Sequence, residues 1–283
     1  MSTVNLPYID AEIEQMEDGG EPPAYLRHFH WGLFDDPTVD DDSPERYFAA
    51  AEGMTRRIIE VGGVADGARV LDVGCGFGGT LDMIRSGHSG CRLAGLNIDL
   101  RQLQWARRLL AKGAGTGTNG AATHLPISFL TGDGCKLPIA DASVDHVLAV
   151  ECVFHFPSRK AFIREAARVL KPGGTLALSD FLMGSGAQST LAANVATLGL
   201  GDWYGRSASP LTSATYERMG RGCGLELLVD DDVTLRTLPT YPAMRRIYKE
   251  SGAADGVATI DGVEQLALGG GWQYHVLAFR KPE

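Results

Sequence analysis

The stretch Arg69-Val-Leu-Asp-Val-Gly-Cys-Gly-Phe-Gly-Gly-Thr80 leaves the chain little freedom in what it can fold into. Val70, Leu71 and Val73 are apolar β-formers, Gly74, Gly76, Gly78 and Gly79 follow, and a helix-capable run starts at Thr80. The pattern predicts a buried strand, a tight turn and a helix start. Glycines there allow positive φ and let a ligand approach main-chain N–H groups with no Cβ in the way. Ordering four glycines among six residues is costly without such a ligand.

The glycine spacing alone also fits the G-x-G-x-x-G of dinucleotide folds. Asp72 separates the readings, because a carboxylate two positions before the first glycine would repel a pyrophosphate. A cationic ligand without phosphate suits it, and an amino-acid-bearing nucleoside such as S-adenosylmethionine is one.

The charge balance narrows the partners. With 35 acidic against 26 basic side chains and a formal charge of −9, the chain has no Lys/Arg-rich run to release counterions from a nucleic acid or an anionic membrane. Small-molecule acceptors, neutral or cationic, are expected instead, and homo-oligomerisation is left open. The five scattered cysteines form no C-x-x-C pair and read as reduced thiols. No leader-like N-terminus and no apolar run of spanning length is present, so a cytoplasmic protein is expected. No His/Cys/Asp cluster has metal spacing, and no metal is expected.

In chain order, four parts are predicted. Residues 1–66 form an N-terminal helical cap, with a short helix over Ala11–Met16 and a longer one capped by Ser43 and opened by Pro44 that runs to Val61. Between them lies Tyr25–Phe34, rich in rings and histidines, either packing on the domain or acting as a lid through Tyr25, His30 and Trp31. Residues Asp35–Asp42 read as a solvated acidic loop. Residues 67–180 form the ligand-binding core, with strands at Val70–Val73, Cys91–Asn97, Ile127–Leu130, Val147–Val150 and Thr175–Ser179, separated by helices. Gly113–Gly120 is a flexible loop. Residues 181–210, with Trp203 and Tyr204 and a helix over Gln188–Leu198, form an insert over the ligand edge. Residues 211–283 complete the sheet with strands at Leu225–Val229 and Tyr274–Phe279 and helices at Leu211–Cys223 and Tyr241–Glu250. Strands alternating with helices mean a doubly wound α/β sheet with ligands at strand C-termini.

These residues resemble the class I S-adenosylmethionine-dependent methyltransferases, strongly over about residues 65–180. Leu137-Pro-Ile139 with Ser143-Val-Asp145, and Val169-Leu-Lys-Pro-Gly-Gly174, are similar to the family's "LPF…SFD" and "LKPGG" runs. The resemblance implies a Rossmann-like seven-stranded sheet with its last strand antiparallel. It also implies S-adenosylmethionine as cofactor and S-adenosylhomocysteine as product. Asp72, Gly74, Gly76 and Gly78 would hold the methionine part, and Gly132, Asp133 and Gly134 the adenine. Most members carry an acidic residue at the end of strand two, where Asn97 stands here. The run from Gly95 to Gln102 looks instead like a subgroup with tocopherol and sugar O-methyltransferases, where Asn97 and Gln102 would share the ribose.

For the acceptor side, Glu151-Cys-Val-Phe-His155 and Asp180 resemble the ExxxH and strand-five Asp of natural-product O-methyltransferases. His155 is then the expected base, with Asp180 orienting it or binding the substrate hydroxyl. Glu151 contacts the methionine end, or acts as base in a C-methyltransferase on an alkene or prenyl chain. Tyr25, His30, Trp31, Trp203 and Tyr204 are the expected acceptor contacts, suited to a sugar, polyketide or terpenoid-like hydroxyl. Phe154 stands where cyclopropane synthases place a bicarbonate-binding Glu, which disfavours that chemistry. N-methylation of a small amine, an NAD-dependent dehydrogenase and a non-catalytic cofactor-binding subunit are the remaining alternatives.

Overall fold

The computed structural model describes residues 6–18, 24–113, 125–184 and 211–283. Trp203, Tyr204 and the helix expected at Gln188–Leu198 lie outside them, as does nearly all of the loop expected at Gly113–Gly120.

Seven strands form one sheet: β1 (Arg69–Val73), β2 (Arg92–Asn97), β3 (Ser128–Thr131), β4 (Val144–Val150), β5 (Leu170–Met183), β6 (Glu226–Asp232) and β7 (Trp272–Arg280). Their order is β3-β2-β1-β4-β5-β7-β6, and only β7 runs antiparallel to its neighbours. The order reverses between β1 and β4, the crevice where open α/β sheets bind ligands.

The period-two alternation of the strands sorts their side chains onto two cores. On one face Val70, Leu93, Leu148 and Ala177 meet α1 (Pro7–Glu17), α2 (Pro44–Gly62), α3 (Gly79–Gly87) and α4 (Leu100–Gly113). On the other, Leu71, Val147, Leu176 and Phe279 meet α5 (Arg159–Val169) and α6 (Ser213–Gly222). The expected start of α2 is observed: the Ser43 hydroxyl accepts from the Arg46 N–H, and Gly63 ends the helix at φ 67°.

Two departures from the sequence reading bear on the site. β5 does not end at Asp180. Antiparallel pairing with β7 continues to Met183↔Trp272, which leaves Asp180 inside the strand. After the short α7 (Thr234–Thr237) and α8 (Thr240–Ser251) comes an unforeseen α9 (Ala254–Leu268). Its buried Ile260, Val263 and Leu266 keep a helical period that Gly256 and Gly262 disguise.

Candidate functional site

A cavity of about 400 Å³ opens at the C-terminal ends of β1, β2 and β4. At one end it is lined by Asp72, Gly74, Gly76, Gly79, Asn97, Gln102, Gly132, Asp133 and Gly134. The Gly74 and Cys75 amides donate to the Leu96 carbonyl at 2.7 and 3.1 Å, tying the glycine turn to the end of β2. Asn97 Nδ2 donates to Gln102 Oε1 at 2.9 Å, so the two side chains expected to act together are already joined. Asp72 is buried, and burial alone pushes its carboxyl up to about 7. No hydrogen-bond or ion-pair partner reaches that carboxylate among the described residues.

The other end is lined by Leu6, by Tyr8 and Ile9 of α1, by Leu26 and Phe29, and by Val150, Glu151, His155 and Phe156. His155 closes a single 3-10 turn, Val153–His155, directly after β4. Its Nε2 lies 3.0 Å from the Tyr8 hydroxyl, and the two rings stack with centroids 5.9 Å apart. Glu151 has φ 47°, a left-handed backbone that non-glycine residues hold at a cost of about 1–3 kcal/mol. Its carboxylate accepts from the Trp31 N–H at 2.8 Å and the Tyr274 hydroxyl at 2.6 Å. Burial pushes Glu151 up to about 8, and these two bonds offset only part of that. A small side chamber continues past Glu151 between Trp31, Tyr47, Phe154, Met244 and Tyr248.

A chain of three hydrogen bonds fixes the strap, residues 24–34, that closes this side. Burial holds His28 and His30 neutral, down to about 3 and about 4. His30 Nδ1 lies 3.1 Å from the Trp31 carbonyl, which only accepts, so this nitrogen carries the proton. His30 Nε2 then accepts from the Thr55 hydroxyl at 3.0 Å, and His28 Nδ1 must donate to the Thr55 oxygen at 2.8 Å.

The family described as "Methyltransferase domain" matches residues 71–178. The chain is 34% identical over 224 residues to Methyltransferase GfsG of Streptomyces halstedii, covering 78% of this chain and 73% of that protein. The chain belongs to the S-adenosylmethionine-dependent methyltransferases. A second relative, the 27-O-demethylrifamycin SV methyltransferase of Amycolatopsis mediterranei, is 30% identical over 219 residues, covering 76% of this chain and 72% of that one. Among solved structures, geranyl diphosphate C-methyltransferase from Streptomyces coelicolor A3(2) superposes with a TM-score of 0.73. It has 17% identity, and the match covers 99% of this chain and 100% of that one.

The methyltransferase's own residues fit the cofactor. The lone carboxylate of Asp72 calls for a cation, and S-adenosylmethionine brings an ammonium and a sulfonium but no phosphate. The Cβ-free face is real at Gly76, where φ is 50° and an added Cβ would meet only Gln102 Oε1, at 3.8 Å. Asn97, Gln102 and Asp133 supply polar groups farther along the cavity.

Two sequence expectations change, for Gly78 and Asp180, and Gly74 answers a second demand besides lining the cavity. Gly78 does not line the cavity; at φ 86° it is the N-cap of α3, while Gly79 takes its place in the lining. An added Cβ on Gly74 would meet Cys152 Sγ at 2.5 Å, so that glycine makes room for the protein's own side chain. Asp180 does not orient His155. It is fully buried and bonded to Arg159, whose Nε lies 2.6 Å from Oδ2, and to the Tyr216 hydroxyl.

Of the expected acceptor contacts, His30 lines both the cavity and the side chamber, whereas Trp31 lines only the chamber. Tyr25 lines neither, because its hydroxyl donates to the Glu12 carboxylate at 2.9 Å. Tyr8 goes unnoticed in the sequence. Its helix is expected to start at Ala11, but Pro7 starts it earlier, and Ile9, Ile13 and Met16 of the same helix are buried.

Proposed function

We propose that this methyltransferase O-methylates a hydroxyl of a small, largely apolar acceptor such as a polyketide, terpenoid-like or sugar metabolite, with His155 as general base. The observation that carries this reading is the placement of His155 beside Tyr8 at the apolar end of the cavity that holds Asp72 and the glycine turn at its other end. The name of the Amycolatopsis relative, which acts on 27-O-demethylrifamycin SV, supports oxygen as the methylated atom.

When bound, the cofactor supplies a methyl group already activated on sulfur, so the chain has to align a nucleophile and remove its proton. Asp72 holds the cationic end. Leu6, Ile9, Leu26 and Phe29 exclude water from the acceptor side. His155 takes the hydroxyl proton, and the Tyr8 hydroxyl and ring hold the imidazole in place.

The test is a search for acceptors by S-adenosylhomocysteine release from hydroxyl-bearing polyketides, terpenoids and glycosides, followed by His155→Ala. A fall in kcat of about 100-fold or more with cofactor affinity retained supports the base. An unchanged kcat removes it. The aromatic chamber beside Glu151 favours C-methylation as a second reading, in which the product carries a new C–C bond and Glu151→Gln abolishes turnover.

A further inference from the structure

Glu151 is held by a closed ring of hydrogen bonds whose direction can be read. Its own N–H donates to Ser179 Oγ at 3.1 Å, Ser179 Oγ lies 3.0 Å from the Tyr274 oxygen, and the Tyr274 hydroxyl lies 2.6 Å from Glu151 Oε2. When Glu151 is ionised its carboxylate only accepts, so Tyr274 then donates to it and Ser179 must donate to Tyr274. Every member passes its proton the same way round, an arrangement in which each bond strengthens the next. The ring locks a residue that sits at φ 47°.

Both protein donors to this carboxylate, Tyr274 and the Trp31 N–H, land on Oε2. Oε1 has no hydrogen bond among the described residues, and Glu151 borders both the cavity and the side chamber. No cation from the protein faces it among those residues. From α1 comes Tyr8, from the strap His30, from α2 Tyr47, from α8 Tyr241 and Tyr248, and from β7 Tyr274. After β4 come Cys152 and His155, and β1 contributes Asp72. Asp180 behind it is already paired with Arg159. Arg27, the one Arg or Lys among the described residues that lines the cavity, is bound to Asp82.

We infer that Glu151 is where the proton released by methyl transfer comes to rest, and that Ser179 and Tyr274 are positioning residues that aim its free oxygen at the ligand. The inference rests on the hydroxyl-acceptor reading. In that reaction the methyl C–S bond breaks with its electron pair staying on sulfur, a C–O bond forms, and the hydroxyl proton leaves through His155. The ligand loses one positive charge and the protein gains one proton. With Glu151 ionised before transfer and protonated after it, the net charge of the closed cavity does not change. The upward push of burial on this carboxyl fits such a role, since only a nearby positive charge would keep it ionised at neutral pH.

The test is calorimetry of S-adenosylmethionine and S-adenosylhomocysteine binding at about pH 7.5 in phosphate, HEPES and Tris, whose ionisation heats differ and so report protons released. The methyl donor is expected to release about half a proton or more beyond the product. Glu151→Gln keeps the two accepted bonds through its amide oxygen and should abolish the difference while product affinity is retained. Tyr274→Phe removes a donor that favours the charged form, so the pH midpoint of donor affinity should rise, with a smaller rise in Ser179→Ala. A merely structural role would weaken both ligands alike with no midpoint change, and that result overturns the positioning roles. Equal proton counts in the wild-type protein, or a difference that survives Glu151→Gln, overturn the assignment. No acceptor is present in these titrations, so their failure leaves the His155 reading to its own test.

Discussion

The Tyr8 hydroxyl lies 3.0 Å from His155 Nε2, so the first helix of the chain and the turn after β4 meet at one imidazole. The same helix is tied across the other side of the cavity by Arg101, which bonds Asp10 at 2.6 Å and Asp99 at 2.7 Å. Tyr8→Phe keeps the stacking on Phe29 and His155 but removes the hydroxyl. A lost hydrogen bond of about 0.5–1.5 kcal/mol corresponds to a fall in kcat of roughly two- to tenfold. Steady-state kinetics on an identified acceptor checks this, with cofactor KM expected to change little.

Asp72 works against the stability of the ligand-free protein. Its folded-state carboxyl stands at about 7, above the unfolded value, so the folded state holds the proton more tightly. Stability from this group is therefore full below the unfolded value near 3.8 and is lost as pH rises through about 7. Asp72→Asn removes the charge that must be buried above that pH. Thermal melts at pH 8 are expected to show a more stable ligand-free variant, by up to about 4 kcal/mol as a linkage ceiling. Calorimetry should show cofactor affinity reduced roughly 10- to 100-fold, because a charge-assisted contact is worth about 1.5–3 kcal/mol.

Asp180 makes the opposite case. It links α5, β5 and α6 through Arg159 and Tyr216 and does not line the cavity. Asp180→Ala breaks a buried ion pair by removing one partner, at a cost of about 3–5 kcal/mol. Chemical denaturation should show that loss. In protein that remains folded, kcat should be close to wild type, which a role as the partner of His155 would not predict.

The contrast between Asp72 and Asp180 shows what was legible in the sequence. Asp72, Asn97, Gln102 and Asp133 are fixed within a few residues of a strand end or glycine turn, so local pattern places them, and all four line the cavity. Asp180 also follows an apolar run, but where β5 stops depends on its antiparallel pairing with β7, about ninety residues later, and that pairing has no local sign. Tyr8 and the clamp of Ser179 and Tyr274 on Glu151 are likewise long-range, joining residues 147 and 123 positions apart. Histidine and glutamate types could be picked out as candidates. Their partners required the fold.

The glycine turn yields the last prediction, because its glycines are there for different reasons. A Cβ on Gly79 would lie 1.7 Å from the Arg27 carbonyl oxygen, a backbone atom of the strap's 3-10 turn, Ala24–His28, that cannot rotate away. A Cβ on Gly76 would meet nothing closer than 3.8 Å. Gly79→Ala must therefore push the strap off α3, with a destabilisation of about 3 kcal/mol or more, at or beyond the upper end of ordinary overpacking. Gly76→Ala bears only the strain of its φ of 50°, about 1–2 kcal/mol. It should nevertheless weaken the cofactor, since the added methyl stands in the cavity. Melting curves and cofactor titrations on the two variants separate the cases: Gly79→Ala is expected to lose more stability, and Gly76→Ala to lose cofactor affinity with the smaller loss of stability. A Gly76→Ala protein that binds the cofactor as tightly as wild type would mean that the turn approaches the ligand elsewhere.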